Sequence, residues 1–249
     1  MAASWLKQGE DSATMAKQHA ASVELKQESK GKMFRFSLKK GEEALITFVD
    51  GELNADGYLI PPRFYEHTVY VGDRFQNFVC PEKTAPHLGG KCPICAAGEK
   101  VSLVSLFTVI DHRQVPSKDG TKVYKDMPRL FVAKPRTFEM LNKMAIKRGG
   151  LAGCTFSVSR SDSQTSAGVG DMFDFDKKSS VTELQEKFMH EVVDPKTNQK
   201  STVTYFVPAD YEKELTFYTN EELVKLGFGA PLPAQSSAVN DTTDYSSQL

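Results

Sequence analysis

Apolar and polar positions alternate with a period of two through most of the first 180 residues, and that period predicts strands. Residues 33–38 (Met-Phe-Arg-Phe-Ser-Leu) alternate, Lys39-Lys40-Gly41-Glu42 turns the chain, and residues 44–49 form a second strand ended by Asp50-Gly51. A short strand is expected over 65–71, before a hairpin turn at Gly72-Asp73. Residues 101–111 are a continuous apolar strand, Ser117-Lys118-Asp119-Gly120 is a hairpin turn, and residues 123–134 return. The period then becomes that of a helix. Thr137 is placed to cap it, Phe138, Leu141 and Ile146 give its apolar stripe, and Gly149-Gly150 stop it. Strands at 155–159 and 172–176 enclose a Ser/Gly-rich loop at 161–170, and short helices at 182–191 and 220–226 flank a strand at 202–207.

Strands wrapped around one helix predict a mainly β (α+β) protein whose core is a five-stranded Greek-key barrel of the OB type. The core is expected over 32–180, with a loop-rich subdomain inserted at about 57–98 and an α/β extension at 181–229. The termini are expected to be flexible. Residues 1–31 read as a mobile arm with a marginal helix from Asp11 or Ser12 to Gln18, and 230–249 as a disordered, mildly acidic tail. No apolar run reaches the ~20 residues that cross a bilayer, and with no secretory signal the expected location is the cytoplasm.

The inserted stretch carries metal-ligand spacing. His67-x12-Cys80-x11-Cys92-x2-Cys95 offers a closed Cys3His set, in which a Cys-x2-Cys turn supplies one edge of a Zn²⁺ tetrahedron with Zn–S bonds of ~2.3 Å. Such a set is structural and takes one Zn²⁺. His87 also lies between Cys80 and Cys92 and gives the alternative Cys-x6-His-x4-Cys-x2-Cys. Spacing leaves the two histidines open. The turn Leu88-Gly89-Gly90 before Cys92 argues against a thioredoxin-like redox pair, which would open a helix after a strand. Cys154 stands apart and reads as strand packing.

Charge is segregated. Residues 30–160 hold 21 Lys+Arg against 13 Asp+Glu, whereas residues 161–249 hold 7 against 15. A basic body suggests a polyanionic partner. Within it cations interleave with aromatics: Arg63, Tyr65, Tyr70, Arg74 and Phe75 near the first metal ligands, then Lys122, Tyr124, Lys125, Arg129, Lys134 and Arg136 in the hairpin and helix start. Single-stranded nucleic acid needs cations for phosphates and ring faces for bases, so these residues are the candidate DNA contacts. Nucleophile-elbow, phosphate-loop, zinc-protease and dinucleotide fingerprints are all missing, which argues against an enzyme.

The set His67-x12-Cys80 with Cys92-Pro93-Ile94-Cys95, followed by Gly120-Thr121-Lys122-Val123-Tyr124-Lys125 and the helix from Phe138, resembles the zinc-containing single-stranded-DNA-binding proteins of tailed bacteriophages. The resemblance favours His67 over His87. It implies an OB core with an inserted zinc subdomain and a cleft for the DNA strand. It further implies self-association along DNA through the N-terminal arm and contacts to replisome proteins through the C-terminal region. The expected function is to coat and protect single strands in phage replication, recombination and repair, within a bacterial host. The alternative is a zinc-ribbon adaptor of a replication or transcription complex with no DNA binding of its own.

Overall fold

The computed structural model describes residues 9–28, 31–71, 74–117, 119–163, 167–193, 198 and 200–229. The expected turn at Gly72-Asp73 and the expected tail at 230–249 lie outside them.

The longest apolar run organises the fold. Strand β4 (Val101–Asp111) is preceded by helix α1 (Glu10–Glu28), strands β1 (Glu43–Phe48), β2 (Arg63–Val71) and β3 (Arg74–Val79), and the short helices α2 (Pro81–Thr84) and α3 (Pro93–Ala96). A ribbon of β5 (Val115–Pro116) and β6 (Val123–Tyr124), strand β7 (Met127–Ala133), helix α4 (Pro135–Arg148), β8 (Cys154–Ser159) and β9 (Met172–Lys178) follow. The extension holds α5 (Val181–Lys187), β10 (Met189–Val193), β11 (Lys200–Thr204), α6 (Tyr211–Glu214) and α7 (Asn220–Lys225).

Seven of these strands form one antiparallel sheet in the order β3-β2-β4-β1-β8-β9, with β7 also paired to β4. The first residues of β4 pair with β2, from His67 opposite Val101 to Arg63 opposite Ser105. Its last residues pair with β1, from Phe48 opposite Val109 to Ile46 opposite Asp111. Strand β7 covers Ser105–Asp111 from the other edge, so β1 and β2 share one edge of β4 end to end.

The protein is mainly β, as the pattern predicts, but the sheet does not close into a barrel. Residues 33–38 are no regular strand: Arg35 makes a single bridge to Leu130. Their backbone nevertheless spans the open side, with Phe36 N–H donating to Leu130 O at 2.8 Å and Leu38 N–H to Gly168 O at 2.8 Å. The side chains beneath form the main core, in which Phe48 meets Phe107, Phe131 and Phe156 at ring-centroid distances of 5.4–5.8 Å.

Local chemistry moved several expected boundaries. Pro135 begins α4 at its first turn and Lys134 is the residue before it, so Thr137 is a buried helical residue and not the cap. Leu141 and Ala145 face the core while Ile146 is half exposed. Gly149, left-handed at φ 66°, ends the helix as expected. The returning strand is broken at Asp126, which holds a left-handed φ of 55° and separates β6 from β7. The expected helix over 182–191 stops at Lys187, and the chain turns back as β10 to pair with β11.

The N-terminal helix runs well past its expected end at Gln18. Helix α1 is 19 residues long and docks through Ala21 and Leu25, one turn apart, onto the inserted subdomain. The extension wraps the sheet: Leu184, Phe188 and Phe206 cover Val49 and Ile110, Tyr211 and Leu215 pack beside Phe64 and Leu106, and Leu223, Leu226 and Phe228 reach the cysteines. Among the described residues no helix is long and apolar enough to cross a membrane.

Candidate metal centre and the cleft beside it

Strand alternation builds the metal centre. On β2, Tyr65, His67, Val69 and Val71 point to the inserted subdomain, while Phe64, Glu66, Thr68 and Tyr70 point the other way. His67 is thereby buried opposite Phe78 of β3, and β3 delivers the chain to Cys80. Pro81 and Pro93 each start a short helix immediately after a cysteine, which turns Cys80, Cys92 and Cys95 back toward the histidine.

One ligand atom from each of His67, Cys80, Cys92 and Cys95 lies within 4.8 Å of all the others. Cys80 Sγ and Cys95 Sγ are 3.6 Å apart, and His67 Nε2 is 3.4 Å from Cys95 Sγ and 3.6 Å from Cys92 Sγ. A tetrahedral ion with the usual sulfur and nitrogen bond lengths has ligand–ligand edges of about 3.5–3.8 Å, so the set fits one metal ion. His67 Nδ1 sits 3.0 Å from the carbonyl of Lys100, which can only accept, so Nδ1 carries the proton and Nε2 presents its lone pair. Cys92 N–H donates to Glu82 Oε2 at 2.8 Å, fixing the knuckle. Burial lowers the His67 pKa, raises that of Cys92 and pushes the Cys95 thiol up to about 12. A bound cation would reverse the cysteine shifts by holding the sulfurs as thiolates. His87 lies exposed in a 3₁₀ turn (Pro86–Leu88) outside the set, which settles the choice that spacing left open.

The opposite face of β2 and β3 walls a cleft of about 850 Å³. Its floor is Glu66, Thr68 and Asn77; Arg35 and Ser37 stand on one side, and Lys134, Arg136 and Met140 at the start of α4 on the other. Tyr70 and Phe75 continue that face beyond Thr68 and Asn77. Their rings meet edge to face at 5.2 Å, and they are 49% and 69% exposed. From Arg136 and Met140 a shallow groove runs along α4 past Lys143, Lys147 and Arg148.

The candidate contacts thus divide. Lys134 and Arg136 line the cleft, and Tyr70 and Phe75 extend its wall. Arg74 alternates with Phe75 and takes the other face of β3. Tyr65 packs against the metal subdomain beneath Lys83, Arg63 stacks on Phe138 at 4.1 Å, and burial lowers the Arg129 pKa in a guanidinium that lies 5.4 Å from the Phe34 ring. Lys122 and Tyr124 sit in the exposed ribbon, and Lys125 lines a separate pocket with His112 and Asp126. Sequence reasoning missed Arg35, Glu66, Thr68 and Asn77. Their common signal, polar side chains on one face of alternating segments, becomes specific only once the register is known.

No family model, curated protein or solved structure matches this chain.

Proposed function

We propose that this protein binds single-stranded DNA without sequence specificity, coating and protecting it during replication, recombination and repair, and that it is not an enzyme. The observation that carries the reading is the shared wall of the cleft. The exposed Tyr70–Phe75 pair continues the same face as a floor flanked by Arg35, Lys134 and Arg136. Stacked bases gain about 1–3 kcal/mol each on such rings, and phosphates are neutralised by cations spaced along the groove. Arg136, Lys143, Lys147 and Arg148 prolong the cationic track along α4.

The metal in this reading is one structural Zn²⁺, since four protein ligands leave no open position for a reacting water. His67 and the three cysteines would hold it. Its role would be to fold the loops behind β2 and β3, so that the wall carrying Tyr70 and Phe75 is rigid. The open sheet, with 33–38 lying across its gap, is compatible with a partly open OB barrel. The resemblance to phage single-strand-binding proteins points the same way. Replisome contacts through the C-terminal region and self-association through the N-terminal region belong to the same proposal.

Fluorescence anisotropy with labelled single-stranded and duplex oligonucleotides across a salt series, with zinc quantified in the same sample, tests it. Tight, salt-sensitive binding to single strands with one zinc per chain is expected. Zinc without single-strand binding would instead favour a protein-docking adaptor.

A further inference from the structure

The floor of the cleft holds an acid where a phosphate-binding groove would be expected to carry none. Glu66 is 5% exposed, and among the described residues its carboxylate has one partner, the Arg35 guanidinium at 2.6 Å. Arg35 itself is 31% exposed and lines the same cleft. The other acid there, Asp171, is engaged by Ser161, whose N–H and hydroxyl donate to it at 2.9 and 2.5 Å.

The pair is built across the cleft. Glu66 stands on β2, in the wall shared with the metal subdomain. Arg35 stands on the irregular segment that spans the open side of the sheet. That segment is tethered from behind, because Met33 N–H donates to the Glu214 carboxylate and the Lys32 ammonium to Thr216 Oγ1. A buried carboxylate with a single guanidinium partner is poorly compensated. A guanidinium with about a third of its surface exposed keeps donors free for a second anion.

We infer that Glu66 is a resident competitor for phosphate at Arg35. A strand entering the cleft meets Lys134 and Arg136, the latter within the field of the Asp171 carboxylate, and it shares Arg35 with the carboxylate directly beneath. Arg35 then contributes less than a full counterion-releasing contact, and Glu66 holds affinity and salt response below what the cations alone would give. This rests on the cleft being the single-strand site.

Glu66→Gln keeps the shape and removes the charge. In anisotropy titrations against an oligonucleotide, it should bind more tightly at low salt, and the slope of log K against log salt should steepen by up to about 0.7, the value of one complete single-strand phosphate contact. Adding Arg35→Gln to that variant should abolish the gain, leaving the slope at or below the wild-type value. Asp174→Asn, which removes a carboxylate exposed on β9 outside the cleft, should leave it unchanged. A slope equal to wild type in Glu66→Gln, or a gain that survives Arg35→Gln, overturns the inference while leaving single-strand binding intact. Failure of the wild type to bind single strands overturns the cleft reading itself. A measurement on the unaltered chain covers the case of an unfolded variant. The Arg35 guanidinium nitrogen resonances, assigned by their loss in Arg35→Lys, should shift when an oligonucleotide saturates the protein. Resonances that stay in place would equally overturn the inference.

Discussion

Tyr70 and Phe75 owe their exposure to the pairing that puts them opposite each other at the end of a two-stranded ribbon. They bury little, so Tyr70→Ala or Phe75→Ala should each weaken single-strand binding by about 1–3 kcal/mol in anisotropy while leaving the melting temperature unchanged. Cys92 is the opposite case, fully buried and within ligand distance of His67. Cys92→Ser should lower metal affinity by more than the roughly 10–100-fold typical of second-layer partners, and melting temperature and DNA affinity should fall together. Asp50 makes a pH prediction. Burial raises its pKa to about 6, against hydrogen bonds from the Tyr211 hydroxyl and the Thr108 N–H. The folded state therefore holds this proton more tightly than the unfolded chain, whose Asp titrates near 3.9. Its contribution is complete below about pH 4 and is lost as pH rises through about 6. Asp50→Asn should flatten the wild-type loss of stability across that window in urea titrations.

Elements differ in how plainly the sequence declares them. Strands β1, β4, β8 and β9 were legible because alternation and apolar runs report burial directly. The metal set was legible in its cysteines, whose spacing alone brings thiolates together. Its histidine was not, because His67 and His87 differ only in where β2 and a 3₁₀ turn point them, and that is a fact of register. Segment 33–38 alternates like a strand yet makes one bridge, because its partners are Leu130 on one side and the loop at Gly168 on the other. Helix α1 was underestimated because only Ala21 and Leu25, among its described side chains, are buried, too few to mark an apolar face. Leu25→Ala should cost about 2 kcal/mol, near the low end for a buried leucine, and urea unfolding should show the loss. Unchanged stability would mean that the helix is not docked in solution.

For the whole molecule, the extension at 181–229 is the part that composition described worst. The sequence marks it only as an α/β extension within the acidic part of the chain, whereas it lies against the sheet and the metal subdomain in turn. Those contacts join residues more than seventy positions apart, and no local pattern encodes them. Phe206 is 1% exposed and stacks on Phe188 with centroids 6.1 Å apart. Phe206→Ala should destabilise the protein by about 3–5 kcal/mol, measured by urea unfolding, although Phe206 is not among the residues lining the cleft. A chain cut at residue 180 should lose the cover over Val49, Ile110 and Leu106 and aggregate.

The single edge of β4 that β1 and β2 divide between them also limits how this protein can evolve. One residue inserted or deleted near Leu106 would shift β2 against β1 and turn every side chain on the displaced part to the opposite face. His67 would leave the cysteines in the same step that carried Glu66 and Tyr70 out of the cleft. Length changes among descendants of this sequence should therefore collect in connections such as 54–57 and 117–121, and β4 should keep its eleven residues even where its side chains drift.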